Sequence, residues 1–144
     1  MPELPILAPA AVLVLWSLVM LTWMTVTRFA AFSRGGVDLS QVPAGSRYAE
    51  VEAQMPERVN WKSHNYTHLM EQPTLFYATV IMLAIAGDAS PLSVGLAWAY
   101  VLLRIAHSIW QATVNRVSTR ARLFALSSLC LLGLAVNAVR QLVF

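Results

Sequence analysis

Four long apolar runs divide this chain of 144 residues. They cover residues 6–26, 66–87, 91–115 and 123–139. An α-helix rises about 1.5 Å per residue, so each run can cross a hydrocarbon core about 30 Å thick. Lipid leaves unpaired backbone groups without partners, and no run alternates in polarity like a barrel strand. The sequence therefore predicts an all-α integral membrane protein folded as a four-helix bundle.

The composition is typical of a membrane protein, with 58% hydrophobic residues, 12% charged residues and a mean hydropathy of +0.60. The net charge is +3, but the basic residues gather at the ends of the apolar runs and form no stripe suited to nucleic acid. We expect no nucleic-acid partner. We expect one domain over residues 1–144, with spans at about 6–32, 60–87, 90–116 and 119–142.

The distribution of basic residues predicts the orientation in the membrane. Five lie around the first connection, none in the second and three in the third: Arg28, Arg34, Arg47, Arg58, Lys62, then Arg116, Arg120, Arg122. Cytoplasmic connections carry the excess of Lys and Arg. We therefore expect the first and third connections in the cytoplasm and both termini on the opposite side. The first run follows Glu3 without a preceding cation, which favours a retained span over a cleaved signal peptide.

Turn residues predict how the second and third helices are joined. Gly87 suits a helix C-terminus, Ser90 an N-cap and Pro91 the first helical position. These two helices should form a tight hairpin. The segment 33–55 is predicted to be a polar loop with a short helix near residues 47–54.

Ionisable residues interrupt the second and third runs at similar depths. Counted inward from the hairpin, Glu71 and Arg104 lie at about 24 and 21 Å, and His68 and His107 at about 28 and 26 Å. A charge inside a membrane is costly and normally has a partner. We expect Glu71 to pair with Arg104. One interpretation is that this ion pair only fixes the packing of the two helices.

The spacing of the polar residues predicts two facing stripes. The second helix carries His64, His68 and Glu71, and the third carries Arg104, His107 and Gln111. Each set lies along one side of a helix. Exposure to lipid would cost about 3 kcal/mol or more per charge, so the stripes should face each other or a neighbouring subunit. A polar cavity open to the cytoplasm follows, with Arg28 at its inner boundary.

The third connection adds cations to the mouth of this cavity. Ser118 or Thr119 is predicted to cap the fourth helix, which places Arg120 in its first turn. Free N–H groups and the helix dipole favour an anion there. The alternative is that Arg116, Arg120 and Arg122 are membrane-surface anchors that contact anionic lipid.

A metal site is the weaker interpretation of the histidines. His64 and His68 have the i, i+4 spacing of a helical metal pair, with Glu71 as a conceivable third ligand. No HExxH pattern or second acidic ligand accompanies them, so we predict no metal. Cys130 lies among leucines and is expected to be a buried, unreactive thiol.

Two stretches resemble a known family. Residues 64–73 read His-Asn-Tyr-Thr-His-Leu-Met-Glu-Gln-Pro, and residues 100–108 read Tyr-Val-Leu-Leu-Arg-Ile-Ala-His-Ser before Arg116 and Arg120. They resemble the membrane-associated proteins in eicosanoid and glutathione metabolism, the MAPEG family. The resemblance covers most of residues 58–126, and the layout of four spans extends it over the chain. It is to a divergent, bacterial-type member, which implies the bacterial inner membrane.

The resemblance implies a homotrimer that binds glutathione between adjacent subunits near the cytoplasmic face. The implied glutathione ligands are Arg28, His68, Glu71, Arg104, His107, Gln111 and Arg116, and His64 joins them as a member of the same stripe. Arg120 is the residue implied to stabilise the thiolate. Where the eicosanoid branch has Arg and Asn before the glutamate, this chain has His64 and His68, and Gln111 and Phe124 replace tyrosines.

These features predict a membrane-bound glutathione transferase or peroxidase that acts on lipophilic electrophiles. Its expected partners are membrane lipids, a lipophilic small-molecule substrate and two further copies of the chain. The alternative is a non-enzymatic protein of the same fold that binds a lipid or another anionic amphiphile in the cavity between subunits. A metal-dependent membrane hydrolase is a third and more distant interpretation.

Overall fold

The computed structural model describes residues 4–35, 39–53 and 55–144. Its helices are α1 (Leu7–Gly35), α2 (Tyr48–Glu52), α3 (Glu57–Ile85), α4 (Pro91–Thr113) and α5 (Val117–Val143), and a 3-10 turn covers Leu39–Gln41. The described ranges contain no strand. The all-helical prediction is therefore confirmed for this part of the chain. The short helix expected in the first connection is α2.

Three of the long helices are long and apolar enough to cross a membrane: α1, α4 and α5. The 29 residues of α3 would also reach across, but this helix does not meet the same standard of apolarity. The reason lies in its first half, where Arg58, Lys62, His64, His68 and Glu71 lower the mean hydropathy. A fourth span at α3 therefore stays a prediction.

The turn between α3 and α4 forms as the sequence predicts. Gly87 has a φ of 78°, which glycine adopts without strain. Its N–H bonds the carbonyl of Ala84, and the N–H of Asp88 bonds that of Leu83, a Schellman end to α3. Ser90 then caps α4 by accepting the Ser93 N–H at 3.4 Å, with Pro91 in the first turn. The two helices are consequently antiparallel neighbours.

A polar network ties α5 to this hairpin. Asp88, only 8% exposed, accepts hydrogen bonds from the Ser90 N–H at 2.9 Å and from the Ser93 hydroxyl at 2.5 Å. The Asn137 amide, on α5, donates to Asp88 at 2.8 Å. Burial of Asp88 opposes its ionisation, but the hydrogen bonds from Ser93 and Ser90 outweigh it and lower the pKa of this carboxyl.

The core lies around α4, which contacts α1, α3 and α5. Leu13 and Met20 of α1 pack there, and the rings of Phe76 and Tyr100 stack between α3 and α4 at 4.3 Å between centroids. Many large apolar side chains remain on the outside, among them Leu15, Leu18, Leu75, Leu102, Leu132 and Val136. An apolar exterior of this extent suits lipid or contact between subunits.

Candidate functional site

Arg104 is the buried centre of the polar cluster. It is 1% exposed, and its Nη2 lies 2.9 Å from the carbonyl oxygen of His68 and 3.2 Å from His68 Nδ1. Glu71 is exposed and forms no ion pair with Arg104 in the described chain. The predicted direct ion pair between Glu71 and Arg104 is therefore wrong within one chain, although the charge of Glu71 still acts on Arg104. His68 takes that place because it turns toward α4, whereas Glu71 lies on the open flank of α3.

Aromatic rings from three helices pack beside this guanidinium. The rings of His68 and His107 stack with centroids 4.9 Å apart and an angle of 21° between planes. Phe124, on α5, lies 5.3 Å from His68, and Arg104 Cζ lies 5.8 Å from the Phe124 ring. A cation over an aromatic face is stabilised by the ring quadrupole. The stripes on α3 and α4 thus meet at His68, Arg104 and His107.

Several buried polar atoms in this cluster have no partner in the described chain. They are Nε and Nη1 of Arg104, Oε1 of Gln111 and Oδ1 of Asn65. The amide nitrogen of Asn65 is used, since it donates to the Ser108 hydroxyl at 2.8 Å. A buried group left unpaired costs about 1–3 kcal/mol, and more when it is charged. Nε and Nη1 of Arg104 and Oε1 of Gln111 therefore have hydrogen-bonding capacity that the described chain does not use.

The start of α5 differs in detail from the prediction. Arg116 is the N-cap and makes no side-chain capping bond, so Ser118 and Thr119 lie inside the first turn and are not caps. Asn115 precedes it with a φ of 56°, a left-handed conformation that asparagine tolerates. Its Oδ1 accepts a hydrogen bond of 2.7 Å from Nη1 of Arg120.

A cavity of about 200 Å³ joins this helix start to the histidine pair. We call it the α5 pocket; it is lined by His68, His107, Val117, Arg120, Ala121 and Phe124. Arg120 thus lines the same cavity as the predicted glutathione ligands His68 and His107. The first turn of α5, without a side-chain cap, leaves backbone N–H groups free to favour an anion.

Other predicted site residues lie elsewhere in the described chain. His64 bonds the carboxylate of Glu52 on α2, and both are partly or largely exposed. Arg28 donates to the Ser63 hydroxyl at 2.6 Å and is half-buried. Arg116 and Glu71 are exposed. Within one chain, these four do not line the α5 pocket, and neither do Arg104 and Gln111.

His64 and His68 turn to different partners, so they do not converge on a common ion. No group of three His, Cys, Asp or Glu side chains in the described residues could hold a metal. Cys130 is half-buried and lies outside the α5 pocket. The geometry of the described residues therefore does not support a metal site at His64 and His68.

Asn115, the residue that holds Arg120, was not predicted from the sequence. Asparagine at the end of an apolar run is a signal for a left-handed helix end, and it was present in the sequence. The bond of 2.8 Å from the Gln72 amide to Ser128, which joins α3 to α5 near the pocket, was not predicted either. No spacing rule connects residues so distant in the chain.

Three helices apolar enough to cross a membrane, with a buried polar cluster among them, are typical of an integral membrane protein. The chain belongs to the MAPEG family, whose model matches residues 6–140, nearly the whole length. No curated protein and no solved structure shows significant similarity to it.

Proposed function

We propose that this protein is a membrane-bound glutathione transferase or peroxidase that acts on lipophilic electrophiles. The observation that carries the proposal is the α5 pocket, where Arg120 and the start of α5 meet the His68–His107 pair. A neighbouring arginine and a helix N-terminus both lower the pKa of a thiol. Glutathione would supply a thiolate nucleophile there, and Arg120 is the residue proposed to stabilise its charge.

The unpaired atoms of the cluster fit the polar groups of glutathione. Arginine binds carboxylates through forked pairs of N–H groups, and Arg104 has Nε and Nη1 to offer. The Gln111 Oε1 can accept from an amine or amide N–H. Membership in the MAPEG family, which is associated with glutathione, supports the same ligand.

We also propose that the site is completed by a second subunit of a homotrimer. The α5 pocket, at about 200 Å³, is smaller than the roughly 300–1,000 Å³ of most ligand sites. Glu71, His64 and Arg116 are exposed on one chain. A neighbouring copy would bury Glu71 and bring Arg28, His64, Glu71 and Arg116 to the same ligand. Glu71 is proposed to accept from its amine.

The same assembly accounts for a span at α3. This helix is an antiparallel neighbour of α4, a span candidate, and its C-terminal half is apolar. The polar side of α3 would face another subunit instead of lipid. The free-energy cost of exposing its charged side chains to lipid would then be avoided. We propose a single domain with four spans in the bacterial inner membrane, with both termini on the non-cytoplasmic side.

Conjugation of glutathione to chlorodinitrobenzene by the purified protein tests this proposal. We expect activity in the wild type and its loss in Arg120→Ala, with the trimer intact by size-exclusion chromatography. Arg122→Ala is the matched control, because Arg122 is exposed on the same helix and lies outside the pocket.

Calorimetry separates the transferase from the non-enzymatic alternative. Folded wild-type protein that releases no heat with glutathione would contradict the proposal. Lipid whose retention is lost in Arg120→Ala, and which glutathione does not displace, would favour a lipid-binding protein of the same fold. Displacement of that lipid by glutathione would support the transferase.

A further inference from the structure

A second cavity lies between the C-terminal end of α1 and the N-terminal end of α3. Its volume is about 690 Å³, and it shares no lining residue with the α5 pocket. Three of its described lining residues are cations, Arg34, Arg58 and Lys62, and none of the described ones is acidic. A cavity of this charge attracts an anion.

Within the described ranges, no carboxylate forms an ion pair with any of the three cations. Arg58 and Lys62 are one helical turn apart, a spacing at which like charges repel. The Lys62 ammonium donates to the Arg58 carbonyl at 2.6 Å and lies 5.5 Å from the Trp23 ring. Arg34 and Arg58 are exposed, and neither makes an ion pair within the described ranges. An anion between these helices would relieve the repulsion.

The remaining walls determine what kind of anion fits. Val26, Ala30, Ala31 and Val59 line the cavity with apolar surface. The first three belong to the last turns of α1, a helix apolar enough to cross a membrane. Cations at the end of a span, next to apolar walls, match an anionic headgroup at the membrane surface with its acyl chains along the helix. A small soluble anion has no apolar part that could contact these lining residues.

We infer that this cavity binds the headgroup of an anionic phospholipid. Arg34, Arg58 and Lys62 contact the phosphate, and the apolar face of α1 contacts an acyl chain. The site is separate from the proposed glutathione site and does not depend on it.

Native mass spectrometry of the delipidated protein, with phosphatidylglycerol or phosphatidylcholine added, tests the inference. We expect the wild type to retain phosphatidylglycerol preferentially. The double variant Arg34→Ala/Arg58→Ala should weaken this binding about 25-fold, at about fivefold per charge removed. Arg34→Lys/Arg58→Lys keeps both charges and should keep the preference. The control Arg122→Ala removes a charge outside the cavity and should weaken this binding by less than the roughly fivefold expected for each cavity charge.

Three results would overturn the inference. Equal retention of the two lipids by the wild type would overturn it. This result needs no variant, so it decides the inference even if a variant fails to fold. Unchanged retention by a folded Arg34→Ala/Arg58→Ala variant does so too. Displacement of phosphatidylglycerol by glycerol phosphate, or by glutathione, would assign the cavity to a small soluble anion.

Discussion

Asn115 holds Arg120 at the start of α5 through a hydrogen bond of 2.7 Å between its Oδ1 and Nη1 of the arginine. The backbone of Asn115 is left-handed, with a φ of 56°, at the turn from α4 into α5. One residue therefore shapes the helix junction and orients the side chain proposed to act on the thiol. These two roles can be separated by substitution.

Asn115→Gly should leave the fold intact and impair the site. Glycine adopts the same φ, so the melting temperature should stay within experimental scatter, while Arg120 loses its partner. The pH profile of conjugation should shift upward because the thiolate is stabilised less well. Asn115→Ala should also destabilise the protein by about 1 kcal/mol, since alanine resists a positive φ. An unchanged pH profile in Asn115→Gly would remove Asn115 from its positioning role.

His68→Ala should destabilise the protein more than His64→Ala does. His68 Nδ1 forms one of the two described hydrogen bonds of the buried Arg104, and a bond to a charged group contributes about 1.5–3 kcal/mol. His64 is an exposed residue, whose pair with Glu52 contributes at most about 1 kcal/mol. Thermal melts of both variants in detergent measure the difference. Equal melting temperatures would count against Arg104–His68 as a packing contact.

Gln111→Leu should separate ligand binding from stability. Gln111 is 5% exposed and its Oε1 has no partner in the described chain, so an apolar replacement of similar size removes an unsatisfied acceptor. Such a change is close to neutral or stabilising in the absence of ligand. We expect an unchanged or higher melting temperature and about tenfold weaker glutathione binding by calorimetry, at about 1.4 kcal/mol for one lost hydrogen bond. Full retention of affinity would exclude Gln111 as a ligand.

The stability of the hairpin should depend on pH through Asp88. Burial acts against its charge, but the hydrogen bonds from Ser93 and Ser90 leave its pKa in the folded protein below the unfolded value of about 3.9. Its contribution is therefore fully present above about pH 5 and is lost as the pH falls through the folded pKa. Asp88→Asn should lower the melting temperature at neutral pH and flatten its decline in acid.

Glu50→Gln is the control for this pH effect, because Glu50 is an exposed carboxylate on α2. Its melting curve should follow the wild type at every pH. If Asp88→Asn showed the same acid decline as the wild type, the hydrogen bonds at Asp88 would not be the source of the pH dependence.

Local signals in the sequence predicted the helices and the turn between α3 and α4. Gly87, Ser90 and Pro91 each require a particular backbone conformation, and the structure places all three as expected. The meeting of His68, Arg104 and His107 followed from helical spacing and depth. Both kinds of inference need only the geometry of a single helix.

The partner of Arg104 could not be predicted in the same way. Counting residues along the helix axis gives the depth of Glu71 and His68 in the membrane. The rotation of α3 about its axis is set by its packing against α4, which the count does not give. Two side chains three residues apart, such as His68 and Glu71, differ in direction by about 60° around a helix of 3.6 residues per turn. That difference is enough to direct His68 toward α4 and to leave Glu71 exposed. The bond of His64 to Glu52 depends likewise on where the first connection folds, which no local pattern specifies.

The ionisation of bound glutathione tests the central claim most directly. Its thiolate absorbance would be followed against pH in the wild type, in Arg120→Ala and in Arg122→Ala. We predict a wild-type midpoint at least about one unit below the value near 8.5 of a free thiol, a return toward that value in Arg120→Ala, and no change in Arg122→Ala. A midpoint that is the same in all three proteins would contradict the account.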